Sequence, residues 1–128
     1  MKARIDSIFL TIAVVYLVAG MTLGIGMGIA ENFMYAHLHA HMNLVGFVAH
    51  AFLGFTHRLW PALRDSALST LQLCVFVIGA PIFLVGLPLA QYHGQPLFAI
   101  LGSLLVLAGT VLFLVMFVTK SQRAPAPV

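Results

Sequence analysis

Histidine is the residue type around which any chemistry in this sequence is built. There are six, and five of them, His37, His39, His41, His50 and His57, fall in the single stretch 37–57. Neutral imidazole is a ligand for zinc, copper and haem iron alike. On a helix turning about 100° per residue, His37 and His41 lie about 40° apart, while His39, His50 and His57 fall within about 20° of one another on nearly the opposite side. Rising about 1.5 Å per residue, the same helix separates His39 from His50 by about 16 Å and His50 from His57 by about 10 Å. One metal cannot collect that whole stripe. The pair His39 and His41 sends two rings to opposite sides at similar depth, so it could serve two neighbouring cofactors or subunits.

Each histidine also has a reading without chemistry. His57 stands beside Arg58 and Trp60, which reads as an anchor at the membrane interface. His37 and His93 could simply face water, His93 from a loop. His50 falls near mid-membrane with no partner on its own helix, where a bystander imidazole is hard to satisfy. Asn43, two residues beyond His41, is placed to hydrogen-bond a histidine or a neighbouring backbone group.

The elements that must position these rings are apolar. Of 128 residues, 62% are hydrophobic and 7% charged, with a mean hydropathy of +1.07; soluble domains sit nearer 45–50% and about 25%. The few polar breaks leave four apolar stretches, 8–30, 35–60, 68–90 and 96–119, each long enough to span about 30 Å of hydrocarbon. The predicted fold class is all-α, an integral membrane up-down bundle of four transmembrane helices forming one domain over 1–122, because short connections make consecutive helices antiparallel neighbours. The tail 123–128, with its alternating Ala and Pro, is expected to be disordered. Pro61 is expected to stop the second helix, Asp65 or Ser66 to cap the third, and Pro81 and Pro88 to kink it. Gly20, Gly24 and Gly28 recur every four residues and give the first helix a smooth face for close packing.

Lys2 and Arg4 ahead of an apolar run resemble a secretory leader, but the run continues to Ala30, beyond the roughly 7–15 residues of a leader core, and reads as a retained helix. The six basic residues, Lys2, Arg4, Arg58, Arg64, Lys120 and Arg123, all fall on one side of a four-span chain. The positive-inside rule then predicts both termini in the cytoplasm and the turns near Glu31 and His93 outside. The net charge of +3 thus reflects topology, and a nucleic-acid partner has nothing else behind it. Cys74 is the only cysteine, so there is no disulfide framework and no C-x-x-C-H site for covalent haem.

An antiparallel bundle returns His93 to the membrane face where the second helix begins. His37, His39, His41 and His93, with Glu31 nearby, are therefore candidate metal ligands at the outer end, and the thioethers of Met34 and Met42 are available to a softer metal.

The stretch Ala36-His37-Leu38-His39-Ala40-His41-Met42-Asn43-Leu44-Val45-Gly46-Phe47, followed by Gly54-Phe55 and Arg58-Leu59-Trp60-Pro61, resembles the H-A-H-x-N-L-x-G pattern of small bacterial membrane proteins related to the catalytic subunit of haem–copper oxidases and nitric oxide reductases. Gly24-Ile25-Gly26-Met27-Gly28 and the run from Gly102 to Gly109 are similar to these proteins too. The resemblance implies b-type haem held non-covalently by His39, His41 and His50, with Asn43 in support and copper or another metal alongside. It implies a redox partner and a role in electron transfer, haem handling or diatomic gas binding. The catalytic subunits have many more helices, and the third and fourth apolar stretches here carry no intramembrane histidine.

A six-coordinate haem needs a ligand on each face, and one helix cannot wrap two of its own histidines around one iron. The second ligand is expected from His93 or from another copy, hence a homo-oligomer. With no Lys or Arg on the outer side, propionates there would rely on Asn32, Tyr35, Gln91, Tyr92 or Gln95; near His50 they could reach Arg58 or Arg64. The alternative reading is a copper or zinc binding or transport protein using the outer histidines. A third is a small assembly subunit whose histidines do no chemistry. No nucleophile with a base, and no carboxylate pair, has a spacing that indicates an enzyme.

Overall fold

The computed structural model describes residues 4–120; the tail 123–128 expected to be disordered lies outside them. The described residues form helices only: α1 (Ile5–Ala30), α2 (Ala36–Leu59), the single turn α3 (Pro61–Arg64), α4 (Ser69–His93) and α5 (Leu97–Lys120). Four of these, all except α3, are long and apolar enough to cross a membrane, so the all-α membrane fold expected from the sequence is the one observed.

Which side chains face outward agrees with this. Large apolar groups such as Val18, Ile25, Leu44, Phe52, Ile78 and Leu107 are exposed around the perimeter, while Asp6, His50, Thr56, His57, Ser69 and Gln72 are buried inside. A water-soluble bundle would reverse that arrangement. The protein is a multi-pass membrane protein.

The helices pack as two hairpins, α1 against α2 and α4 against α5. In the second hairpin the backbones touch. A Cβ at Gly86 would overlap the backbone of Ala99, and one at Gly102 the backbone of Phe83, so these two glycines set the separation of α4 and α5. A shared core of Ile5, Phe9, Leu53, Leu73, Phe76 and Phe113, with neighbours, joins the hairpins at the Asp6 end. Across the Glu31 end the hairpins are joined by an edge contact between Tyr35 and Tyr92, with ring centres 6.1 Å apart, and by a hydrogen bond from the Tyr92 hydroxyl to the carbonyl of Met34.

α2 stops ahead of Pro61, as expected: Trp60 leaves the helix at φ −119°, ψ 87°, and Pro61 then opens a new helical turn, which suits a residue with fixed φ and no N–H to satisfy. Turn chemistry departs from the sequence reading in two places. Ser66 lies ahead of α4 and accepts from the backbone N–H of Leu68 at 3.3 Å, outside the cap position, which is Leu68 itself. His93, expected in a loop, is the last helical residue of α4, and Gly94 follows it in the left-handed conformation at φ 62°. α4 continues through both Pro81 and Pro88.

Candidate functional site

α2 is not uniform. Ala36–His41 is α-helical, Met42–Ala49 is π-helical, and His50–Leu59 is α-helical again. A π turn bonds i to i+5 and takes more residues per revolution, so it changes the angular register between the segments it joins; such turns are frequent at functional sites. The insertion falls between the outer histidines and the inner pair.

Four of the five imidazole rings on α2 are anchored in the same manner. The Nδ1–H of His39 donates to the carbonyl of Gly20 on α1 at 2.8 Å, that of His41 to His37 at 3.0 Å, that of His50 to Val45 at 2.9 Å and that of His57 to Leu53 at 2.9 Å. A carbonyl only accepts, so each contact places the hydrogen on Nδ1 and leaves Nε2 with its lone pair. Metal-bound histidines are commonly held by such a bond.

The surroundings divide them. His39 lies in the α1/α2 seam against Gly24, where a Cβ would come within 2.8 Å of its Cε1. Asn43 packs on Gly20 in the same seam, donates to the carbonyl of His39 at 2.9 Å, and has its amide nitrogen 3.4 Å from His39 Nε2. The smooth face expected of α1 is thus used at Gly20 and Gly24; Gly28 meets nothing. A ring held from two sides inside a helix seam is a packing element, which narrows the role expected for His39.

His37 and His41 occupy the other face of the outer segment. Their rings stack with centres 4.4 Å apart, and His41 also meets Phe83 of α4 edge-on at 5.6 Å. Beside them an open groove of about 380 Å³ is lined by His37, Leu87, Ala90 and Gln91. Among the described residues no group of three or more His, Cys, Asp or Glu side chains is placed to hold a metal ion. The chain therefore does not bring His37, His39, His41 and His93 together as one set: His39 faces α1, away from the stacked pair.

The inner pair is enclosed. His50 and His57 are both 0% exposed. The Phe9 ring lies 5.9 Å from His50 and 5.7 Å from His57, Tyr16 and Phe76 close on His50 at 5.4 and 4.9 Å, and Phe113 closes on His57 at 6.1 Å. With rings packed around it, His50 has no space beside it for a porphyrin in this packing. His57 is not the interfacial anchor its neighbours suggested. It is Arg58 that reaches the surface, 53% exposed, where its Nε donates to Asp6 Oδ2 at 2.8 Å.

Sequence reasoning passed over Phe9, Tyr16, Asp6 and Gln72. The last two could have been found as polar residues inside apolar stretches, which carry a presumption of function. Gln72 is 0% exposed, and neither its amide nitrogen nor its oxygen has a hydrogen-bond partner among the described residues.

Comparison with known proteins adds no relative: no family model, curated protein or solved structure matches this chain.

Proposed function

We propose that this protein binds b-type haem non-covalently at the Glu31 end of the bundle, with His41 as an axial ligand, as in the small proteins related to haem–copper oxidase and nitric oxide reductase catalytic subunits that its H-A-H-x-N-L-x-G motif resembles. The carrying observation is the state of His41: its Nδ1–H is held by the His37 carbonyl at 3.0 Å, and its part-exposed ring meets Phe83 and stacks on His37, which lines the open groove with Gln91. That leaves Nε2 as a ligand at a surface where a flat group and a second copy of the chain have access. A second copy of the chain would supply the other ligand, and Gln91, which lines the same groove as His37, would be a polar partner for a propionate. Bound there, haem iron supplies one-electron chemistry and a site for a diatomic gas. Electron transfer to a redox partner, haem handling and gas binding all use this arrangement. The location is a bacterial inner membrane with both termini cytoplasmic, and a reporter inserted at His93 is expected outside while one after Val128 is inside.

One observation favours a second reading. His37 and His41 are four residues apart with stacked rings, the spacing by which two histidines on one helix face chelate zinc or copper. The two readings separate on one preparation. Protein purified from its native membrane is expected to show a Soret band that shifts on reduction and is lost in His41→Leu. Stoichiometric copper or zinc without haem replaces the first reading with the second, and neither group removes both.

A further inference from the structure

Among the described residues, four buried polar side chains that the outer site does not use have atoms without a hydrogen-bond partner. His50, His57 and Gln72 are fully buried and Asp6 is 6% exposed. His50 Nε2, His57 Nε2, Asp6 Oδ1, Gln72 Oε1 and Gln72 Nε2 have no hydrogen-bond partner among the described residues. Unpartnered polar atoms in a membrane interior are expensive enough to require an explanation. Their composition is one-sided. With Nδ1–H of both histidines already engaged by carbonyls, four of the five atoms are acceptors, and only the Gln72 amide nitrogen donates. A partner for this set must bring hydrogens, and the packed rings of Phe9, Phe76 and Phe113 leave room only for something small.

We propose that this cluster is a proton relay through the α1/α2 seam, with water as the co-reactant. Asp6 forms its mouth: Oδ2 is held by the exposed Arg58, and Oδ1 points inward without a partner among the described residues. A hydrated proton at the mouth transfers to His57 Nε2, giving an imidazolium whose Nδ1–H stays on the Leu53 carbonyl. The same Nε2–H is then released to water and passed along a short file of waters beside Phe9 to His50 Nε2, and each ring returns to its neutral form as the proton leaves. No bond other than N–H and O–H changes, and nothing is oxidised or reduced. Beyond His50 the seam carries the Tyr16 phenol and the Asn43 amide towards the Glu31 end. From His57 to Asn43 is about 21 Å along the helix, the larger part of a hydrocarbon core of about 30 Å.

The groups facing the two imidazoles are few. α1 contributes the Tyr16 ring against His50 and the charge of Asp6 to His57, α4 and α5 present the uncharged rings of Phe76 and Phe113, and Arg58 of α2 and Arg64 of α3 act on Asp6. Among the described residues Asp6 is the one buried anion, which makes the lower imidazole the natural first acceptor.

The test is proton flux into liposomes reconstituted with the full chain, carrying an internal pH-sensitive dye and driven by a potassium gradient with valinomycin. The protein is expected to dissipate the gradient faster than protein-free liposomes. His50→Leu and His57→Leu should each return the rate to the protein-free level, and Thr110→Val on the exposed face of α5 should not. Circular dichroism of each variant establishes that it is folded. Wild-type flux equal to that of empty liposomes overturns the proposal without reference to any variant, as does full flux through a folded His50→Leu, His57→Leu double variant. Cofactor content, measured on the same samples, reports separately on the haem reading.

Discussion

The two halves of α2 hold histidines by the same hydrogen bond and to opposite ends. In the outer half, His37 is exposed and His41 part-exposed, stacked on each other beside an open groove; in the inner half, His50 and His57 are closed over by aromatic rings from α1, α4 and α5. The shared Nδ1 anchor fixes which nitrogen is available, and the neighbours decide to what. A part-exposed ring can be reached from outside the chain, whereas an enclosed one can be reached only by something small. Residue type alone makes the five rings equivalent; the helices packed against them remove that equivalence.

The most direct way to break this comparison is truncation. His50→Ala and His57→Ala each empty a packed interior position and should lower stability by about 2–4 kcal/mol, in the range of other large-to-small core changes. His41→Ala removes a part-exposed ring and should cost no more than about 1 kcal/mol. Denaturant titration in detergent micelles, followed by Trp60 fluorescence, measures all three. Equal losses for His41→Ala and His57→Ala would remove the distinction between the halves.

That distinction was only partly legible in the sequence. The four spans could be read directly, because an apolar run interrupted by Glu31-Asn32, Arg64-Asp65 or Gly94-Gln95 has one sensible interpretation in a bilayer. The spacing already puts His37 and His41 on one face and His39 on the other, as observed, but the outer set with His93 is not brought together among the described residues. His57 reads as interfacial because its sequence neighbours, Arg58 and Trp60, are interfacial residues, while the groups that bury it, Phe9 and Phe113, come from helices 48 residues before and 56 after it. His93 reads as a loop residue because Gly94, which ends the helix, is only one residue further on. The π turn was not legible at all: Met42–Ala49 has no proline and an ordinary apolar composition, so nothing in its residue types sets it apart from the α-helical segments on either side.

The seam that joins the halves offers a finer test. Gly24→Ala would put a Cβ within 2.8 Å of the His39 ring, whereas at Gly28 the same change meets nothing within 4 Å. Overpacking of this kind costs about 1–3 kcal/mol, and alanine in an open helical position gains roughly 0.5–1 kcal/mol over glycine. Gly24→Ala should therefore lower the melting temperature and Gly28→Ala leave it unchanged or raise it. A Gly24→Ala variant as stable as wild type would mean that His39 is free to leave the seam, and would restore it as a ligand candidate.

The smallest effect is expected at the outer turns, and it tests whether that end is held by its backbone or only by side chains. α1 ends with the backbone N–H of Asn32 donating to the carbonyl of Met27 at 3.1 Å and that of Glu31 to Gly28 at 3.3 Å, a closure that requires Glu31 to take φ 51°. α4 closes in a related way, Gln95 donating to Leu89 at 3.1 Å, but its left-handed residue is Gly94. A side chain in that conformation costs roughly 1 kcal/mol, which glycine avoids. Glu31→Gly should accordingly stabilise the protein by about 0.5–1 kcal/mol, less the extra chain entropy of glycine in the unfolded state. Gly94→Ala should destabilise it by a similar amount. The gain at Glu31 should appear as slower amide exchange in residues 27–32 with no change at His50 and His57, because the inner core does not depend on how the outer turn is closed. Slower exchange at both ends would show that the two halves of α2 are one cooperative unit, and the contrast between them one of accessibility alone.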